Sequence, residues 1–145
     1  MLGLTHKTIM KSNRSCAYCG SNEKLTKEHV IPNCILKRNL DQDIGYLRKN
    51  DKVFEGDLTV KDVCGTCNGK YLSALDSYLC KLHDDYFSNF VEKRQELVFE
   101  YNYDLLLRGI LKILFNSSRI NETRYEKLGG HKNYILHGEN RPDNL

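Results

Sequence analysis

The chain has no tryptophan, only two prolines and two methionines, and no long unbroken run of apolar residues. Its most apolar stretch, Leu105 to Phe115, is interrupted by Arg108, Gly109 and Lys112. A helix crossing a bilayer needs about 20 predominantly apolar residues, so no membrane span is expected. The opening residues, Met1-Leu2-Gly3-Leu4-Thr5-His6-Lys7, contain no apolar core resembling a signal peptide. Cytoplasm, where glutathione keeps thiols reduced, is the expected location. Internal repeats and low-complexity tracts are absent too, which excludes a repeat array.

Charge of one sign is also scarce, the net charge being only +3. Its distribution is uneven. Residues 1–70 hold 12 Lys/Arg against 8 Asp/Glu, whereas residues 71–145 hold 10 against 11. Lys24, Lys27, Lys61 and Lys70 belong to the basic half and could neutralise phosphates. A solvated surface accounts equally well for so small an excess, and charge alone does not establish a nucleic-acid partner.

Cysteine is not scarce: there are six. Four form the pairs Cys16-Ala17-Tyr18-Cys19 and Cys64-Gly65-Thr66-Cys67. A two-residue spacer lets both sulfurs of a pair face one ion from a tight turn. Two such pairs complete a closed tetrahedral Zn²⁺ site with no open position for substrate. In a reducing compartment this reading outranks disulfides, and a redox dithiol needs only one pair. Cys34 and Cys80 lie outside both pairs and are expected to be small buried hydrophobes.

At 145 residues the chain has room for one domain, or a small domain with an appendage. Residues 1–12 read as a leader. Leu25-Thr26 and Val30-Ile31 are expected to form a short hairpin ended by Pro32, which cannot donate to a ladder. Residues 39–52 are polar and charged, a surface loop. Val53-Phe54-Glu55 and Leu58-Thr59-Val60 are expected strands around Gly56-Asp57. From Asn68 the period becomes helical, with Leu72, Leu75, Leu79 and Leu82 on one face. A second helix is expected over residues 84–96. A third, over 103–118, carries the stripe Leu106, Ile110, Ile113 and Leu114. Eleven of the 14 aromatic residues follow residue 70, as a packing module requires.

Between the cysteine pairs stands Glu28-His29-Val30-Ile31-Pro32, and Asn68 directly follows the second pair. The order Cys-x-x-Cys, acid-His-x-x-Pro, Cys-x-x-Cys-Asn resembles the four-cysteine branch of the HNH endonuclease family, over about residues 14–80. The resemblance implies an α+β fold: a zinc-stapled ββα-metal (His-Me finger) domain at 13–80, followed by a helical region at 81–145 that supports it or binds a partner. It implies a metal-dependent endonuclease, with DNA ahead of RNA as substrate, found in phage, restriction or bacterial defence settings. His29 would be the general base, while Glu28 and Asn68 would hold Mg²⁺ or Mn²⁺ against the scissile phosphate. Hydrolysis would leave 5′-phosphate and 3′-hydroxyl ends. The family's strand end bends so that the acid reaches metal while the histidine reaches water.

This chain departs from the pattern twice. The acid is Glu28 where Asp is usual, and the middle Asn is missing from Asp57-Leu58-Thr59-Val60-Lys61-Asp62. Asp57 is the candidate to order the loop behind His29. The same residues also admit a non-catalytic zinc-knuckle module that binds nucleic acid or protein, with His29 packed on a knuckle and Asn68 an N-cap. His83, fifteen positions after Asn68, is not expected to reach the same metal. His6, His131 and His137 receive no role. A protein partner or a second copy is an expectation for the C-terminal helices.

Overall fold

The computed structural model describes residues 14–38, 44–47, 52–55, 57–121 and 125–143. The leader at 1–12, with His6, and parts of the expected loop at 39–52 lie outside the described residues. In chain order the elements are β1 (Leu25–His29), α1 (Asn33–Arg38), β2 (Ile44–Leu47), β3 (Lys52–Glu55), β4 (Thr59–Cys64), α2 (Ser73–Leu82), α3 (Tyr103–Asn121), α4 (Tyr125–Gly129) and α5 (Lys132–His137). Wide π-type turns, Cys67–Leu72 and His83–Phe87, lead into and out of α2. The result is a small mixed α/β protein. No helix among the described residues is long and apolar enough to cross a membrane.

The site sits on an antiparallel pair, β1 against β4, with Leu25 opposite Cys64, Thr26 opposite Val63, Glu28 opposite Val60 and His29 opposite Thr59. Between Thr26 and Glu28 the register shifts, so Lys27 faces both Lys61 and Asp62. This bulge lets Val60 and Val63, three positions apart, both point into the core. The expected hairpin of Leu25-Thr26 with Val30-Ile31 does not form. Val30 donates instead to the Leu58 carbonyl at 3.0 Å, while Pro32 is buried at the head of α1 and accepts from the Ile35 and Leu36 amides. Nor do residues 53–55 pair with residues 58–60. β3 pairs with β2, inside the stretch expected to be a loop, and β4 is claimed by β1.

The helical expectations divide. Leu72, Leu75, Leu79 and Leu82 are all buried, as their period requires. Of the helix expected over residues 84–96 only the start is helical, in the π-type turn His83–Phe87. After Phe87 the chain is irregular to Asn102, and Arg94 takes a left-handed φ of 75°. α3 is present but turned over relative to its stripe. Ile110 and Leu114 are 44% and 48% exposed, whereas Leu111, Lys112, Phe115 and Asn116 are buried. One polar row decides the rotation. Arg108 caps α5 by donating to the Ile135 and Leu136 carbonyls, and Lys112, Asn116 and Arg119 each find partners in the β1–β4 pair or the first cysteine turn. Hydrogen-bonded polar groups can be buried without large cost, and orphaned ones cannot.

A single core cluster joins the two halves: Val60, Val63, Leu72 and Leu75 pack with Leu111, Phe115, Tyr134 and Ile135. Gly109 lets α3 approach α2 closely, since a Cβ there would meet Leu79 Cδ1 at 2.9 Å. Cys34 and Cys80, expected as independent apolar fillers, are joined as a disulfide between α1 and α2 with Cα atoms 6.2 Å apart. Arg38 reinforces the same junction with a two-point contact to Asp84 at 2.6 and 2.8 Å.

Candidate functional site

The four cysteines of the paired motifs converge. Their sulfurs all lie within 4.8 Å of one another, and Cys19 and Cys64 are 3.7 Å apart. A tetrahedral ion with metal–sulfur bonds of about 2.3 Å sets sulfurs about 3.8 Å apart, so the set fits a metal ion such as zinc. The backbone supplies the expected turn contacts. The Cys64 amide donates to Cys16 Sγ at 3.3 Å and the Cys67 amide to Cys64 Sγ at 3.4 Å. Gly20, at φ +74°, closes the first turn in a conformation that side chains rarely adopt. The Ala17 amide then donates to the Asp62 carbonyl at 2.8 Å, docking that turn on the free edge of β4. Burial pushes the Cys64 and Cys67 thiols up, so a cation is needed to hold them as thiolates. Among the described residues this is the one group of three or more Cys, His, Asp or Glu side chains so placed.

Glu28 and His29 are neighbours on a regular strand, and they point to opposite faces. Glu28 faces inward and is 4% exposed; the His29 side chain is 29% exposed on the outer face, with Lys27 and Lys61. The bend expected to bring acid and histidine to one place is absent, because β1 stays paired with β4 through His29. The Glu28 carboxylate instead meets the ammonium of Lys112, itself 0% exposed, at 2.5 Å. The contact is close but off-line, an ion pair rather than a directed hydrogen bond. Lys112 also donates to Asp76 Oδ1 at 2.8 Å and to the His29 carbonyl at 3.1 Å. Two ammonium protons therefore have acceptors, and the third contact, to Glu28, is ionic. Burial pushes the Glu28 and Asp76 carboxyls up, with Lys112 pulling each back.

His29 is held from two sides. Its backbone carbonyl accepts from Lys112 and, at 3.3 Å, from Asn116 Nδ2. Its Nε2 lies 3.4 Å from Asp57 Oδ2. Asn68 is not an N-cap; Thr66 occupies that position and makes no side-chain cap bond. Asn68 Nδ2 donates to Thr26 Oγ1 at 2.9 Å and to the Lys27 carbonyl at 2.7 Å, clamping the bulge beside His29. The pairing expected for Mg²⁺ or Mn²⁺ is not assembled. A dication cannot share Glu28 oxygens with an ammonium 2.5 Å away, and the two like charges would repel strongly in so buried a place.

The other histidines among the described residues stand apart from this centre. His83 Nδ1 lies 3.5 Å from Asp84, His137 packs edge-on against Tyr71 at 4.7 Å, and His131 precedes α5. Lys70 is exposed, its ammonium 5.2 Å from the Tyr71 ring. Lys112, Asn116 and Asp76 were the residues that sequence reasoning missed. The signal available was a lysine and an asparagine four apart inside the most apolar helix, where exposed polar groups would normally be spaced to face water. Comparisons of the chain with known protein families, with curated proteins and with solved structures find no match.

Proposed function

We propose that this protein hydrolyses phosphodiester bonds of nucleic acid, DNA ahead of RNA, as an HNH-type endonuclease built on a zinc-stapled ββα finger. The observation carrying this reading is the treatment of His29. It ends a strand on the outer face, its carbonyl is fixed by Lys112 and Asn116, and a carboxylate stands 3.4 Å from its ring. A histidine that merely filled space against a knuckle would not need to be held this way. The imidazole is the candidate general base, and Asp57 would orient it and stabilise the imidazolium. Water attacks phosphorus as His29 takes its proton, the bond to the 3′ oxygen breaks, and that oxygen is protonated from solvent. Lys27 and Lys61, exposed on the same face, supply positive charge for the phosphate oxygens. The divalent ion that the family resemblance implies is given no step, because the Glu28 carboxylate is already paired with the Lys112 ammonium.

A nicking assay on supercoiled plasmid tests the reading, with zinc-loaded wild type and His29→Ala, each with and without added Mg²⁺. Nicking by wild type that falls at least about a hundredfold in His29→Ala is the expected result, the usual size of a lost general base. Equal cutting by both proteins removes His29 from the chemistry. A second reading, a zinc-knuckle module that binds nucleic acid without cutting, is favoured by the inward-facing Glu28. It predicts plasmid binding by both proteins and nicking by neither.

A further inference from the structure

Three oxygen donors from two elements converge on one buried point: the Glu28 carboxylate of β1, the Asp76 carboxylate of α2, and the His29 backbone carbonyl, also of β1. Anionic and carbonyl oxygens around a common centre are the donors that hard divalent cations select. Here the centre is filled by Lys112 Nζ, at 2.5, 2.8 and 3.1 Å from the three. The lysine arrives from α3, outside the segment bearing the motif, and its side chain is completely buried. Asp76 remains 21% exposed, so the cage has one wetted side.

We infer that Lys112 is the resident cation of this cage, a tethered ammonium in the place beside Glu28 where a divalent ion would have to sit. Glu28 and Asp76 are then counter-ions of a lysine and not metal ligands. The charge arithmetic favours this arrangement. Two carboxylates around one ammonium leave a single excess negative charge, carried next to the wetted side at Asp76. Adding a dication without expelling Lys112 would bring two positive centres within a few ångströms in a poorly solvated space. Expelling it would leave a long charged side chain to be rehoused from the middle of a packed helix. The assignment does not depend on the protein being a nuclease, and it is tested by cation binding rather than by cleavage.

The experiment titrates zinc-loaded full-length protein with Mn²⁺, following bound manganese by electron paramagnetic resonance. Wild type and Glu28→Gln are expected to bind Mn²⁺ equally. Lys112→Ala is expected to gain a site that the Lys112→Ala/Glu28→Gln double variant lacks. Mn²⁺ binding by wild type that weakens about tenfold or more in Glu28→Gln, the scale on which metal sites respond to a lost partner, overturns the assignment. So does a folded Lys112→Ala, with zinc content intact, that gains no Glu28-dependent site. Should Lys112→Ala fail to fold, the ammonium ¹⁵N resonance of Lys112 in wild type decides. An unmoved signal under saturating Mg²⁺ upholds the resident lysine, and a displaced or exchanging one refutes it.

Discussion

Tyr18 and Asn116, 98 residues apart, share a buried hydrogen bond of 2.7 Å that fastens the first cysteine turn to the middle of α3. Asn116 has further partners. Its oxygen also accepts from Arg119 at 3.1 Å, and its nitrogen donates to the His29 carbonyl. The phenol donates to Asn116 alone among the described residues, and burial pushes its ionisation well above the ordinary tyrosine value, with Arg119 beside it pulling it back.

That asymmetry orders two variants. Tyr18→Phe removes a donor but leaves Asn116 bonded to Arg119, so a loss of about 1 kcal/mol is expected. Asn116→Ala strands the Tyr18 hydroxyl and leaves the His29 carbonyl to Lys112 alone, and should cost about 2–3 kcal/mol. Urea unfolding of the zinc-loaded proteins checks the order; equal losses would show that Asn116 acts only through Tyr18.

The Lys112 cluster predicts a pH dependence. Burial raises the Glu28 and Asp76 carboxyls, so the folded protein holds protons there that the unfolded chain has released. That contribution is complete below the ordinary values of 4.5 and 3.8, and is lost as pH rises through the raised ones. Glu28→Gln should therefore flatten the decline in stability on the alkaline side of 4.5, read as the urea midpoint against pH. Lys112→Ala should cost about 3–5 kcal/mol near neutrality, since it leaves buried carboxylate uncompensated.

Gly109→Ala sets two effects against each other. Alanine gains up to about 1 kcal/mol of helix propensity. Its Cβ, however, would meet three Leu79 side-chain atoms at 2.9 to 3.1 Å, and Leu79 is only 8% exposed. Overpacking costs about 1–3 kcal/mol, so the variant should be net destabilised. A thermal midpoint above wild type would mean that α2 and α3 can separate freely.

Removing the metal should unfold more than the cysteine turns. Cys16, Cys64 and Cys67 belong to the same core cluster as Leu72, Leu111 and Phe115. Ligation energy here is folding energy. Chelation under reducing conditions is expected to abolish the near-ultraviolet circular dichroism of the buried tyrosines, and zinc should restore it. About one zinc per chain is expected after dialysis, and Cys64→Ser should retain none.

Thiol counting tests the Cys34–Cys80 link. Denatured, metal-free protein prepared without reductant should titrate four thiols, the four cysteines outside the bond, and reduced protein six. Under oxidising conditions Cys80→Ser should lower stability by about 2–4 kcal/mol, because the bond closes a long loop.

Local signals were legible from sequence. The Cys-x-x-Cys spacings gather the four sulfurs, and the leucine period from Leu72 to Leu82 marks the buried face of α2. Both work because a short spacer or a single helical turn settles the geometry without help from the rest of the chain. The second strand of the site was misplaced for the opposite reason. Val30-Ile31 and Thr59-Val60 are equally good strand formers, and only the bulge that buries both Val60 and Val63 selects the latter.

The candidate site divides along the same line. That Asn68 stands beside the four-cysteine cluster follows from its place next to Cys67. That Glu28 points inward does not, because it requires a cation on the other side of the strand. Tertiary packing supplies one, from a lysine 83 residues beyond His29, in a helix whose apolar stripe suggested the reverse orientation. Hydrophobic period sets how a helix packs when its polar face has only water for company. When four polar side chains of α3 each find a partner within the fold, the satisfied polar row turns inward and the apolar stripe remains half exposed.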